Sequence, residues 1–424
     1  MKSVFALIAV LFAPVVSVAI SIETVPIGNP SNAGELQPQG LFGRVTTSYR
    51  IGKTEITNAQ YTEFLNAKAA TDPYGLYNAS MGIFSHGGIT RSGSSGSYAY
   101  AVKANVPGEG PGGSDYTYAD KPVVYVSWYD AARFANWMHN NQGGGNTEGG
   151  AYTIMGGTPT PSNGNSISRN TGAVWFLPSE NEWYKAAYYN GTSSQYSDYP
   201  TGVDAVPNNN LPSADTGNSA NFVQDGEPAT GNLSYPMTGA SAYALSDSSY
   251  GTFDQGGNVW EWNEALVTST TRGRRGGAWD GESPTLSSSY RDNVNPATEN
   301  STVGFRLATI PTPVVVLGDY NANGTVDTAE YILWRNGGPL MNEVHNPGTV
   351  SDEDYTEWRS RFGNPPGSGG GLAAAVPEPD AGRLALLAIA ALLCNMQGRR
   401  CGGRLHMSMA LSTGRYESRE LASP

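Results

Sequence analysis

At 424 residues, with 25 basic against 37 acidic side chains, the chain has room for two or three domains and a net charge of −12. That charge excludes a nucleic-acid partner, and 39% apolar with 10% aromatic residues excludes general disorder. Only 15% of residues are charged while Gly, Asn, Ser and Tyr abound, which suits an extracellular, loop-rich fold.

The first expected element is a signal peptide over residues 1–19. Lys2 supplies the positive start, "VFALIAVLFAPVV" the apolar stretch, and Ser17–Ala19 a small-x-small cleavage site, an uncleaved signal anchor being the rival reading. Export to the cell envelope or medium follows from it. Export normally brings disulfides, yet the only cysteines are Cys394 and Cys401, so the region expected to fold contains no thiol.

Residues 20–309 read as one α+β domain with little regular structure. Three helices announce themselves by their caps: one from Thr57 with Tyr61, Phe64 and Leu65 on one face, one capped by Ser127 and Asp130, and one capped by Ser179 and Glu182. The second should bury Trp128, Ala131, Ala135 and Met138, the third Trp183, Ala186 and Ala187. Short strands are expected at "KPVVYVS", "AVWFLP", "RRGGAW" and "VGFRLA". The tyrosines of "SGSYAYAVK", "SDYTYAD" and "SSQYSDYP" would form an exposed stacking surface or else pack on one another.

Residues 318–363 form a second, helical segment. "DYNANGTVDTAE" fits a calcium loop position by position: Asp319, Asn321 and Asn323, then Gly324 for the turn, the Thr325 carbonyl, Asp327, and Glu330 to close the shell. A chance acidic turn is the competing reading. A related stretch follows 24 residues on, pairing Tyr331 with Tyr355, Trp334 with Trp358 and Arg335 with Arg359. Its ligand positions run Glu343, His345, Pro347, Thr349, Ser351 and Asp354, a set too degraded to expect calcium. The pair resembles a dockerin, and the resemblance implies a cohesin-like or envelope partner. A Gly/Pro linker (364–375) leads to "VPEP" and an apolar run, Leu384–Leu393, before Arg399–Arg400. This order (376–400) resembles a PEP-CTERM sorting signal, implying a C-terminal membrane helix in the inner membrane. The run is short for a span, an ordinary tail anchor is the rival, and a polar tail (401–424) follows where such signals usually stop.

Five stretches of the large segment occur in a telling order: "YRIGKTEITNAQYTEFLN", "PVVYVSWYDAARFANWM", "WFLPSENEWYKAAYY", "DQGGNVWEWNE" and "RRGGAW…YRDN…VGFRLA". Together they resemble the formylglycine-generating enzyme, or sulfatase-modifying factor, family over residues 23–309. The resemblance implies a C-type-lectin-like fold held by structural Ca²⁺. It assigns one calcium site to Asp254, where the family has Asn, the Gly257 and Val259 carbonyls, and Glu261. A weaker one begins at Asn221 and the Phe222 carbonyl and lacks a clear Asp partner. The competing reading is a buried turn in which Glu261 pairs with Arg274, Arg275 or Arg306.

The resemblance also implies copper(I) on two cysteines, which would fall on Gly281 and near Thr285 or Leu286. Soft thiolates select Cu(I), and none stands between Ala19 and Cys394, so copper is not expected. The iron centre of related sulfoxide synthases would need a histidine cluster; only His86, His139, His345 and His406 exist, and His139 reads as a helix-end residue. Acid–base work by Asp254 and Glu261 is disfavoured, because a bound cation keeps both ionised. Two readings remain: a non-catalytic, calcium-stabilised module binding a peptide or glycan, and an oxidoreductase of the same family using another metal centre.

Overall fold

A computed structural model describes residues 19–310, 316–321, 323 and 325–363. The expected signal peptide (Ala19 excepted), linker, anchor helix and tail fall outside the described residues, and within those residues no helix is long and apolar enough to cross a membrane. The chain divides into two units, Met1–Thr312 and Pro313–Pro424.

The three helices expected in the first unit form where their caps place them. They are α1 (Asn58–Lys68), α2 (Trp128–His139) and α3 (Glu180–Tyr188), each opened by a reciprocal capping box: Thr57 with Gln60, Ser127 with Asp130, Ser179 with Glu182. Each box satisfies backbone N–H groups that a helix start leaves open. On α1, Tyr61, Phe64 and Leu65 are fully buried. The amphipathic reading of α2 is too narrow, since every residue from Trp128 to Met138 is buried, Arg133 and Asn136 included. A helix enclosed on all sides has no outward stripe for a sequence pattern to report.

Eight strands build two sheets: β1 (Thr24–Ile27), β2 (Tyr49–Gly52), β3 (Trp175–Phe176), β4 (Trp260–Thr268), β5 (Thr271–Arg275), β6 (Asp292–Val294), β7 (Val303–Gly304) and β8 (Ala308–Thr309). The first sheet runs β1–β2–β8–β3, antiparallel throughout. The second runs β6–β5–β4–β7, with β7 parallel to β4 and Glu261 opposite Arg275 across β4 and β5. "KPVVYVS" is not a strand. Val123 N donates to Ile56 O and Tyr125 N to Asn300 O, both at 2.9 Å, but φ at Tyr125 is +61°, which breaks the pleat. "VGFRLA" splits into β7 and β8, one in each sheet.

Between the sheets and helices lies an aromatic core. Tyr61 stacks on Phe134 (5.9 Å), and Phe134 meets Phe64 and Phe305 edge-on at 5.2 and 5.4 Å. The tyrosine-rich loops pack on themselves rather than face solvent: Tyr116 meets Tyr118 at 5.0 Å, Tyr77 meets Tyr100 at 5.3 Å and Tyr189 meets Tyr196 at 4.9 Å. The exposed stacking surface is therefore not there; rings this large give more free energy buried than wet.

One cap carries a titration. Asp130 Oδ2 accepts the Ser127 amide (2.9 Å) and hydroxyl (2.6 Å), and its carboxyl is also hydrogen-bonded to Glu299. Burial first, then Glu299, push Asp130 up to about 8 against the pull of Ser127 and Arg133. A carboxyl whose folded pKa is raised holds its proton more tightly when folded, so its contribution is full below the unfolded pKa and is lost as pH rises towards 8. Stability of the first unit should accordingly fall between about pH 4 and 8, and Asp130→Asn should flatten that slope in urea unfolding run across the range.

In the second unit, α4 (Thr328–Arg335) is capped by Asp327 and α5 (Asp352–Arg361) by Ser351. The 24-residue repeat becomes a reciprocal clasp. Trp334 Nε1 donates to Ser351 O (2.6 Å), and Trp358 Nε1 donates to Asp327 O (2.7 Å). Between them Trp334 packs on Tyr355 (4.9 Å) and Tyr331 on Trp358 (5.3 Å).

Candidate functional site

The stretch Phe253–Glu264 enters β4 through a left-handed turn. Asp254 and Asn258 both have φ of +59°, and at Gly257 (φ +81°) a Cβ would lie 2.2 Å from the Asn221 carbonyl oxygen. Only glycine fits there. At Gly276, likewise, a Cβ would meet the Gln255 carbonyl at 2.7 Å, which is the close approach the Gly-Gly pair after β5 permits.

Glu261 is wholly buried and committed to protein partners. Arg306 Nε and Nη2 donate to its two oxygens, each at 2.6 Å, and Trp183 Nε1 donates to Oε2 at 2.7 Å. The same guanidinium donates to the carbonyls of Gly52 (2.9 Å), Lys53 (3.3 Å) and Phe253 (2.7 Å). Of the two readings of this segment, the geometry gives Glu261 to Arg306 and leaves little of it for a cation. Asn221 is similarly engaged: its Nδ2 donates to Pro236 O (2.8 Å) and its Oδ1 accepts the Ala229 amide (3.1 Å). The Phe222 ring packs with Tyr199, Ala220 and Leu286.

Asp254 differs. Its Oδ2 accepts the Ser241 amide at 2.7 Å, and burial, against that bond and Arg306, pushes it up to about 6. Glu55, on the segment before α1, stands close by and is pushed well up by burial and then by Asp254. Asn258 Nδ2 reaches Glu55 Oε1 at 3.2 Å, while Glu55 Oε2 is buried without a partner. Two buried carboxyls, Glu55 and Glu261, and the half-buried Asp254 thus stand around one arginine. In charge, the surplus fits a hard divalent cation; in ligands, the set is lean. Among the described residues no group of three His, Cys, Asp or Glu side chains is arranged to hold a metal, so a cation here would depend on backbone carbonyls such as those of Gly257 and Val259. Sequence reading missed Glu55, whose only signal was an acid set between the buried Ile51 and Ile56.

The positions expected to carry cysteines come together. A Cβ on Gly281 would lie 2.8 Å from Thr285 Oγ1, while Leu286 is buried among Tyr199 and Phe222. Of the two candidates for the second position, Thr285 is the one whose side chain lies against Gly281. A glycine and a threonine give no soft ligand, so copper(I) does not fit this site. Val223 N donates to Gly281 O (2.7 Å), and beside that bridge opens a cleft of about 620 Å³ walled by Val206–Asn208, Phe222–Gly226, Glu282 and Ser283. Nearby, His86 stacks on Trp279 at 5.2 Å and its Nε2 lies 3.0 Å from Leu233 O. His139 ends α2 and accepts the Val174 amide on Nδ1 at 3.0 Å, a structural role.

In the second unit the calcium-loop residues converge. Asp319 Oδ1 and Asn321 Oδ1 both accept the Asn323 amide (3.2 and 2.9 Å), and Asn323 Oδ1 accepts the Thr325 amide (2.9 Å). Asp327 caps α4, and Glu330 Oε2 accepts the Asp327 amide at 2.6 Å. Glu330 is buried, raised by burial and by Asp327 and Asp319, and its Oε1 has no partner. Hard oxygens around one orphaned carboxylate oxygen fit calcium. The second loop keeps more than its sequence suggested: Glu343 Oε1 and the fully buried Asp354 Oδ1 are both without partners, although Asp354 Oδ2 caps Ser351 at 2.8 Å.

With this geometry in view, the sequence matches the family described as sulfatase-modifying factor enzyme 1-like domain over residues 28–310, well over half of the chain. The chain belongs to that family. It is 25% identical over 210 residues to the serine/threonine-protein kinase pkn1 of Chlamydia caviae, covering 45% of this chain and 24% of the kinase. It is 29% identical over 156 residues to the formylglycine-generating enzyme of Thermomonospora curvata, covering 36% of each. The chain spans about a quarter of the length of the curated kinases it matches. Among solved structures it is similar to CarF (23% identity, TM-score 0.45, 69% of this chain and 99% of that one) and to Treponema denticola variable protein 1 (19%, 0.45, 69% and 96%).

Proposed function

We propose that the first unit is a non-catalytic binding module of the sulfatase-modifying factor family, exported to the cell envelope and steadied by calcium, which takes a peptide or glycan at the cleft beside Gly281. The observation that carries this reading is the pairing of Gly281 with Thr285 where the family resemblance puts thiolates. The scaffold brings the two positions together, and neither residue supplies the soft thiolate that cuprous ion needs. The other reading, an oxidoreductase with a different metal centre, would need ligands that His86 and His139, each engaged elsewhere, do not supply. Incubating the full chain with a Cys-x-Pro-x-Arg peptide, copper and oxygen should give no aldehyde above a metal-free control. Aldehyde formation would overturn the reading; glycan and peptide arrays, with and without chelator, then identify the ligand.

The second unit is read as a dockerin-like calcium module for a cohesin-like or envelope partner, and the C-terminal segment as an inner-membrane anchor. Calcium at the first loop should raise the stability of the second unit by about 2.7 kcal/mol at a hundredfold excess over Kd. Glu330→Gln should abolish that gain. Melting the full chain with calcium or with chelator, followed through Trp334 and Trp358, checks both; a melt indifferent to chelator removes calcium from the loop.

A further inference from the structure

The segment 295–302, which joins β6 to β7, is fastened to the start of α2 by two backbone hydrogen bonds and an acid pair. Tyr125 N donates to Asn300 O and Trp128 N to Pro296 O, both at 2.9 Å. The third tie is the hydrogen bond between the carboxyls of Asp130 and Glu299. Two carboxyls can share a hydrogen bond only while one of them keeps its proton. Of these three ties, only this one titrates.

The surroundings hold no idle cation to replace that proton. Asp130 is 2% exposed. Arg133, on the same helix, comes only within 4.0 Å of its Oδ1. That guanidinium is committed to Glu148 (2.7 and 3.3 Å) and to the carbonyls of Thr158 and Pro159. From α1 comes the Tyr61 hydroxyl, which donates to Leu76 O (2.9 Å) and is itself raised by burial and then by Asp130, Glu299 and Asp72. From the turn after α1 comes a third carboxyl, Asp72, which accepts the Leu76 and Tyr77 amides and has Arg91 at 3.8 Å. The neutral Asn78 Nδ2 donates to Glu299. Burial and then Glu299 accordingly push Asp130 up to about 8, and burial raises Glu299 as well, against Asn78 and Asp130.

The same segment anchors a second tryptophan-bearing stretch on its other side. Ser301 O accepts Trp279 Nε1 (3.2 Å) and Thr302 O accepts Trp260 N (2.8 Å). Trp279 stands two residues before Gly281.

We propose that the Asp130–Glu299 pair is a pH-sensitive latch on segment 295–302. With the proton shared, the segment is clamped to α2. With it lost, the two carboxylates part, the segment lifts, and Trp279 loses its anchor beside Gly281. In the lifted segment an acid ionises near its ordinary value of about 4, whereas the clamped pair holds its proton towards 8. Lifting therefore becomes easier as pH rises across that interval and levels off above it. The bearing of the latch on ligand capture rests on the reading of the Gly281 cleft; the latch itself does not.

The test is hydrogen exchange of the full chain, followed by mass spectrometry from pH 5 to 9. Once intrinsic base catalysis is divided out, exchange in 295–302 should speed up about tenfold per pH unit from pH 5 to 7 and level off near pH 8. Residues 278–281 should follow, while α1 should not. Glu299→Gln, whose amide donates to the Asp130 carboxylate without a titrating proton, should abolish the step in both stretches. Carboxyl carbon-13 NMR of the natural chain, which needs no variant, should show an acid titrating near pH 8. The latch is overturned if 295–302 shows no step, if α1 shares it, if Glu299→Gln keeps it, or if every carboxyl has ionised by about pH 6. A step confined to 295–302 overturns the link to Trp279. No readout here uses a ligand, so failure leaves the reading of the Gly281 cleft standing.

Discussion

Replacing Arg306 with methionine should lower the unfolding free energy of the first unit by about 3–5 kcal/mol, because it strands a buried carboxylate. Glu261 is wholly enclosed, and Arg306 satisfies it with two bonds of 2.6 Å while also holding the carbonyls of Gly52, Lys53 and Phe253. One side chain thus ties the end of β2, the turn before β4 and β4 itself together. The double variant Glu261→Met/Arg306→Met removes both charges and should be markedly less damaging than Arg306→Met alone. Urea unfolding of the natural chain and the two variants, read through the buried tryptophans, checks the order. Equal losses in the single and double variants would show that packing rather than charge holds this centre, and no loss in either would show that the pair is dispensable.

The second large effect is a gain. The double variant Gly281→Cys/Thr285→Cys should bind one equivalent of copper(I) under reducing conditions, where the natural chain binds none at that site. The geometry motivates it: a Cβ at position 281 would meet the side-chain oxygen of Thr285 at 2.8 Å, so the two positions face each other, and once the side chain at 285 turns aside to relieve that contact two thiolates can share one ion. The backbone at Gly281 is not left-handed, so a side chain there meets no strain of that kind. Competition against a cuprous chelator measures the stoichiometry. Stoichiometric copper on the natural chain would instead sink the non-catalytic reading.

Much of the helical architecture was legible because capping is local. Ser127 and Asp130 or Ser179 and Glu182 need only four residues to declare a helix start, and each did so at the right residue. Strands were less legible for the opposite reason. "KPVVYVS" has the composition of a strand, but its partners are Ile56 and Asn300, remote in sequence, and the positive φ at Tyr125 cannot be read from valines. At the candidate site, the motif order pointed to the turn before β4, and Arg306, which pairs with Glu261, stood among the partners considered for it. Glu55 was invisible, because its significance is a matter of proximity to Asp254, about two hundred positions away, and of burial. The tyrosine-rich loops misled in the same way: composition suggests a surface, whereas ring-to-ring packing decides burial.

The indole clasp of the second unit has a thermodynamic corollary. Since Trp334 is anchored on the chain preceding α5 and Trp358 on the chain preceding α4, neither half retains its own anchor when the other melts. Fraying of one helix removes the acceptor that orients its twin. Occupancy of a single loop by an ion is accordingly felt by both, and the module dissolves in one cooperative step instead of two.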